Sequence, residues 1–281
     1  MLQSRGIRIA SWVILIALSL TMIVPLINVV ATSFTSKAGS LQPGVILWPE
    51  PFSVEGYFTL MNRMRIWLPF MNTMYVTIVG TALHVVLCAV AGYALSNENL
   101  PGRNWIVAAI LFTLAIPTQT ILVPLFIVFR DFGLLNTLLS LILVDLVTAF
   151  SIVLMKTYFE QVPKEIIESA TMDGAGHLRL FWNFYMPLAL PGVITITVFH
   201  MVTKYNLFIH PLLFISDPDK TTLQIALQSV VGGEGSTFTS DFIAPNVMMA
   251  GIVAALIPLL IFFAFFQRYL ISGVTAGGVK G

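Results

Sequence analysis

Five stretches of this 281-residue chain run for more than 20 residues without Asp, Glu, Lys or Arg: Ile9–Ser36, Ile66–Asn97, Asn104–Phe129, Leu180–Thr203 and Phe242–Gln267. A hydrocarbon core about 30 Å thick needs about 20 apolar residues at a helical rise of 1.5 Å each. A sixth candidate, residues 136–159, contains Asp145 and ends near Lys156. The sequence therefore predicts an all-α polytopic membrane protein with six transmembrane helices, at about 9–34, 68–96, 104–129, 137–158, 188–213 and 245–268. The apolar residues run all round each segment, which marks embedded helices and not amphipathic surface ones. A β-barrel is excluded, because alternating segments of about 10 residues are absent. The whole of 1–281 reads as a single transmembrane domain.

The first run follows Arg5 and Arg8 and could pass for a secretion signal. Its length exceeds the about 7–15 residues of a signal h-region, so it reads as an uncleaved anchor. With the N-terminus in the cytoplasm, inner connections carry eight basic residues (Arg5, Arg8, Arg103, Lys156, Lys164, Arg179, Arg268, Lys280) and outer ones five (Lys37, Arg63, Arg65, Arg130, Lys220). That bias predicts both termini in the cytoplasm. A net charge of +1 gives no electrostatic footing for nucleic acid. The lone Cys88 excludes an internal disulfide and a Cys-ligated zinc centre.

One cytoplasmic connection, residues 160–187, is long and polar. Pro163 suits the first helical position, and Glu165 and Glu168 lie near the positive end of the dipole. Gly174 suits the left-handed residue that closes a helix, with Ala175 and Gly176 permitting a reversal. A second short helix is expected from His177 to Tyr185 before Pro187 opens span five. Small residues at Ser169, Ala170 and Gly174 would let another protein approach the backbone closely, although an ordinary surface loop fits the composition equally.

Glu168-Ser169-Ala170, three residues, Gly174, nine residues and then Phe184-Tyr185-Met186-Pro187 resembles the EAA loop of ABC-importer membrane subunits, E-A-A-x3-G-x9-I-x-L-P. Ser169, Phe184 and Met186 replace Ala, Ile and Leu. The tail Gly273-Val274-Thr275-Ala276-Gly277-Gly278-Val279-Lys280-Gly281 resembles the G-L-T-A-G-A-V-K-G end of carbohydrate-uptake subunits of the maltose MalG type. Tyr205-Asn206-Leu207-Phe208-Ile209-His210-Pro211 is similar to their W-N-E-F-L-W-P, with Leu207 for Glu.

The resemblance implies a type I ABC importer permease in a bacterial inner membrane, embedded in lipid, that moves a sugar or oligosaccharide. Its EAA loop would be a coupling helix between spans four and five, with Glu168, Ser169, Ala170, Gly174 and Pro187 serving the ATPase contact. Thr275, Ala276, Gly277 and Lys280 would form a further C-terminal ATPase contact. The implied partners are a second related permease subunit, two copies of a cytoplasmic ABC ATPase and an extracytoplasmic solute-binding protein. The chain has no G-x-x-x-x-G-K-[ST] phosphate loop, so this chain binds no cofactor, and ATP and Mg belong on the ATPase.

Ionisable residues within spans are expensive and are functional by default. Asp145 and Lys204 both lie roughly 12–14 Å below the outer surface by helical rise. Two readings stay open. Lys204 pairs with Asp145 to join spans four and five, or Lys204 and His200, four residues apart on one helical face, line a sugar path with Tyr205, Asn206 and Asp145. The second would suit an acidic oligosaccharide. His84 reads as a packed bundle histidine, and no metal-ligand spacing is present. An ion-coupled secondary transporter is the rival function, but it would call for carboxylates in several spans and an internal repeat. No nucleophile arrangement suggests an enzyme.

Overall fold

The computed structural model describes residues 5–63, 66–232 and 243–278. Among these the structure is helical, with one isolated bridge between Thr35 and Phe52. In chain order the helices are α1 (Arg5–Ser33), α2 (Lys37–Ser40), α3 (Glu55–Arg63), α4 (Trp67–Ser96), α5 (Arg103–Thr113), α6 (Leu122–Asp131), α7 (Leu138–Leu143), α8 (Ala149–Glu160) and α9 (Lys164–Met172). They continue with α10 (His177–Leu180), α11 (Met186–Leu188), α12 (Leu190–Tyr205), α13 (Ile209–Phe214), α14 (Leu223–Gly232) and α15 (Pro245–Gly278).

Three stretches are single helices long and apolar enough to cross a membrane: Ile7–Ser33, Trp67–Ser96 and Pro245–Gln267. Two more expected spans are broken. Arg103–Thr113 and Thr118–Asp131 meet at 89°, and His177–Leu188 and Leu190–Tyr205 meet at 80°. The break in the third expected span falls at Pro117, which supplies no amide hydrogen and restricts the residue before it. Among the described residues, counting each bent pair once gives up to five stretches long and apolar enough to cross. The expected 137–158 span is two shorter helices, α7 and α8, neither long enough alone.

Local chemistry explains that last division. Thr137 and Thr148 are both extended and cap the following helix, accepting from the amides of Ser140 and Ser151 at 3.3 and 3.4 Å. Between the helices Val144 is extended and Asp145 has φ 51°, a left-handed conformation that Asp tolerates through its short polar side chain.

Packing divides the chain into two units, residues 1–68 with 225–260 and residues 69–224 with 261–281. In the first, the side chains of α1 from Ile7 to Leu26 are exposed, as befits a surface facing lipid. Below it Ser33 Oγ and Tyr57 Oη lie 2.9 Å apart, Phe34 stacks on Phe52, and Asn246 Nδ2 donates to Thr35 O.

The second unit holds two apolar clusters. One joins α4, α8 and α12 through Cys88, Ala89, Met155, Phe159 and Ile196, together with Phe181. The other joins α7 to its neighbours through Val76, Phe129, Leu141, Ile142, Leu207 and Phe214. Beside the second cluster, Asn136 (φ 58°) accepts from the amides of Ser216 and Asp217, and Asn72 Nδ2 donates to Asp219 O and Thr221 O. The 215–221 connection is thus pinned by two side-chain amides.

Candidate functional site

The polar connection folds as its sequence predicts near Gly174. Helix α9 ends with Gly174 at φ 81°; its amide donates to Thr171 O and the Ala175 amide to Ala170 O, both at 3.0 Å. These are the two bonds of a Schellman closure. Pro163 stands one residue before the helix and not at its first position. Glu168 and Ser169 are exposed while Ala170 is buried, so the small pair divides between the outer and inner faces.

The second short helix runs further than expected. After α10 the residues Phe181–Tyr185 form a π-helical stretch that passes directly into α11, so Pro187 sits inside the helix before the bend and is exposed. The helix of span five starts after Ala189, with Pro191 in its first turn. Pro187 therefore does not open the fifth span. A proline at a helix start loses no hydrogen bond, and Pro191 fills that role.

Charged groups bind this connection to the ends of three membrane segments. Lys164 Nζ lies 3.0 Å from Glu98 Oε1 in the turn after α4. Arg103, opening α5, donates from Nε to Leu95 O at 2.7 Å and pairs through its guanidinium with Glu160. Lys156 donates to both Glu160 oxygens at 2.9 Å. The Lys164 ammonium holds the Glu98 carboxyl below its ordinary range, and Glu98 raises Lys164 in return. Beneath lies an aromatic cluster: Tyr93 meets Tyr185 at 4.9 Å and Phe181 at 5.3 Å, and Phe159 meets Tyr185 at 5.6 Å. A cleft of about 400 Å³ opens between Glu98, Arg103, Glu160, Lys164 and Glu168. Of this network only the i, i+4 spacing of Lys156 and Glu160 is a local sequence signal. Helix α15 includes Thr275, Ala276 and Gly277, whose side chains are not described, and Lys280 lies outside the described residues.

The intramembrane residues form a second polar centre. Lys204 is 2% exposed, and its Nζ donates to Leu141 O at 2.7 Å, to Ile142 O at 3.2 Å and to Val144 O. An ammonium has three donors, and all three are used. The direct Lys204–Asp145 pair does not form: among the described residues the ion pairs join other groups. The carbonyls at the end of α7 take the place of a carboxylate because a helix C-terminus leaves them unpaired and carries partial negative charge. Nor does Lys204 stand in an open path.

His200 stacks on His84, ring centroids 3.6 Å apart and planes at 4°. Leu146 O lies 3.0 Å from His84 Nδ1 and can only accept, so that nitrogen carries the proton. Nε2 then accepts from Ser151 Oγ at 2.8 Å, and Ser151 accepts from Thr148 at 3.0 Å. His200 Nε2 is buried without a partner. Tyr205 is buried, whereas Asn206 is exposed and donates from Nδ2 to Val202 O.

Residues 85–276 match the family described as "Binding-protein-dependent transport system inner membrane component". The chain is 31% identical over 275 residues to the polygalacturonan/rhamnogalacturonan transport system permease protein YtcP of Bacillus subtilis (strain 168), covering 95% of this chain and 96% of that one. It is 28% identical over 279 residues to the arabinooligosaccharides transport system permease protein AraQ of Halalkalibacterium halodurans, covering 97% and 98%. Among solved structures it resembles a chain of a bacterial ABC transporter involved in the import of the acidic polysaccharide alginate, with TM-score 0.87, 27% identity, and coverage of 96% of this chain and 99% of that one.

Proposed function

The chain belongs to the family of binding-protein-dependent transport system inner membrane components, and from that premise we propose that it carries an oligosaccharide through the permease of an ABC importer. Such a subunit is a transport component of the inner membrane and not an enzyme. Permease relatives for polygalacturonan, rhamnogalacturonan and arabinooligosaccharides, and the alginate importer, support a sugar cargo. The polygalacturonan and alginate systems favour an acidic one. A secondary ion-coupled transporter is not favoured by this family.

In this reading α9 is the coupling helix: Glu168 and Ser169 present its docking surface to one of two ATPase subunits, while Ala170 packs inward and Gly174 closes the helix. The observation that carries it is the exposure of Glu168 and Ser169 on a helix closed at Gly174 and tied by Lys164 to Glu98. ATP and Mg belong on those ATPases. A second, related permease subunit and an extracytoplasmic binding protein complete the assembly, with the C-terminal Thr275, Ala276, Gly277 and Lys280 reaching toward the ATPases. Both termini lie in the cytoplasm, and α7 with α8 completes six membrane segments. The acidic cargo is not read by Lys204, whose donors are spent on carbonyls, nor by the buried Tyr205 and His200, so the exposed Asn206 remains the cargo-facing candidate.

The test is transport and binding-protein-stimulated ATP hydrolysis by Glu168→Lys and Gly174→Pro. Both activities are expected to disappear while the subunit remains inserted. Normal transport by both variants would overturn the coupling assignment. Uptake of oligogalacturonides in preference to neutral oligosaccharides of equal length tests the cargo.

A further inference from the structure

The fourth membrane segment is divided at residues 144–148, and the two pieces are held by different side chains of α4 and α12. On α8, Met155 packs so tightly on α4 that a Cβ at Gly92 would lie 2.7 Å from Met155 Cβ, and Ser151 is bonded to His84 of α4. On α7, the terminal carbonyls of Leu141 and Ile142, with that of Val144 just beyond the helix, are bonded to Lys204 of α12. Gly80 of α4 makes room for that side chain, since a Cβ there would stand 3.3 Å from Lys204 Cε.

We propose that Lys204 is a positioning residue for transport: its ammonium ties α7 to α12 and makes the Asp145 region a joint within the fourth membrane segment. A buried cation in a membrane needs partners for every proton, and free helix-end carbonyls need donors. Each need is met by the other, with no bond to a carboxylate. The far end of α8 carries Glu160 in the charged network beside α9. Displacement entering there reaches α7 through the joint and through α12, on which α8 also packs at Phe150 and Phe199. The mechanical role rests on the coupling reading, whereas the α7–α12 tie does not, and the two are measured separately.

The experiment uses the whole transporter in lipid nanodiscs, with Cys88→Ser to remove the single buried cysteine. Spin labels are placed at Leu139 on α7 and Thr203 on α12, both exposed, and their distance is measured by electron spin resonance without nucleotide and with vanadate-trapped nucleotide. A narrow distance that is equal in both states is expected. Lys204→Met broadens it and lowers transport per ATP hydrolysed roughly tenfold, and Lys204→Arg, which keeps a cation with several donors, restores both. An unchanged narrow distance in Lys204→Met overturns the proposal. So does equal broadening by Asp145→Asn, which removes the carboxylate and would show that an ion pair and not the carbonyls holds Lys204, or a loss of transport confined to acidic cargo. If Lys204→Met fails to insert, Gly80→Val decides, because it keeps the ammonium but crowds its stem: broadening supports the tie and a narrow distance overturns it. Loss of the Glu168→Lys effect would remove the coupling reading while leaving the distance result standing.

Discussion

Gly92 lies directly against Met155 where α4 crosses α8. A Cβ on Gly92 would stand 2.7 Å from Met155 Cβ and 2.8 Å from the Lys156 amide nitrogen. The second of these is backbone and cannot rotate aside. Close approach of this kind is how membrane helices gain packing energy in a solvent as apolar as themselves. Gly92→Ala is expected to cost about 1–3 kcal/mol through overpacking, seen as a lower melting temperature of the detergent-purified complex. Gly92→Leu should prevent assembly altogether. A melting temperature unchanged by Gly92→Ala would contradict the close crossing.

Gly174 occupies the left-handed region with nothing near its missing side chain. Strain and not crowding then sets the effect of substitution. Gly174→Ala should destabilise the closure of α9 by about 1–2 kcal/mol, and Gly174→Asn by less. Stimulated ATP hydrolysis should fall in the order Gly, Asn, Ala, with the subunit inserted in each case. Equal activity for Asn and Ala would show that the backbone conformation at 174 does not govern docking.

Arg103 serves two acceptors at once, Leu95 O and Glu160. A lysine has no planar fork and cannot hold both in the same geometry. Arg103→Lys should therefore lose most of what Arg103→Ala loses in transport. A double-mutant cycle with Glu160→Gln should give a coupling of about 1 kcal/mol. Additive single effects would mean that the pair carries no shared role.

The Glu98–Lys164 contact gives a prediction about pH. Glu98 is lowered in the folded protein, so its contribution is present above its ordinary 4.5 and is lost as pH falls through the lowered value. Lys164 is raised, so its contribution is complete below its ordinary 10.5 and is lost only above the raised value. Between those limits the pair stays charged. Glu98→Gln should therefore change transport by the same factor at pH 6 and pH 8, whereas raised salt should weaken the wild-type contact because both partners are exposed. A variant effect that differs between these two pH values would assign the titration to another group.

Much of the connection between spans four and five was legible beforehand because its signals are local. A Gly at the helix end and a Pro at its start act through the φ angles of their own residues, and the structure places the stop at Gly174 and moves Pro163 by a single position. Pro187 was misplaced because the π-helical stretch Phe181–Tyr185 carries the preceding helix through it. Prolines such as Pro117 and Pro191 mark where a hydrophobic run can kink but not how far it turns, and the helices on either side of these breaks meet at 89° and 80°.

The sequence by itself determined that this chain is helical and embedded in a membrane, and that one polar connection holds a helix closed at Gly174. Those conclusions rest on the spacing of apolar, charged and glycine residues along the chain. Only the tertiary structure decided what Lys204 is for. Distance along the chain suggested Asp145 or a sugar as its partner, but the partners are the carbonyls of Leu141, Ile142 and Val144. Every residue has a carbonyl, so such a bond leaves no residue-type pattern to read. Which carbonyls are free is settled only where a helix ends and a cation from another segment is packed against it.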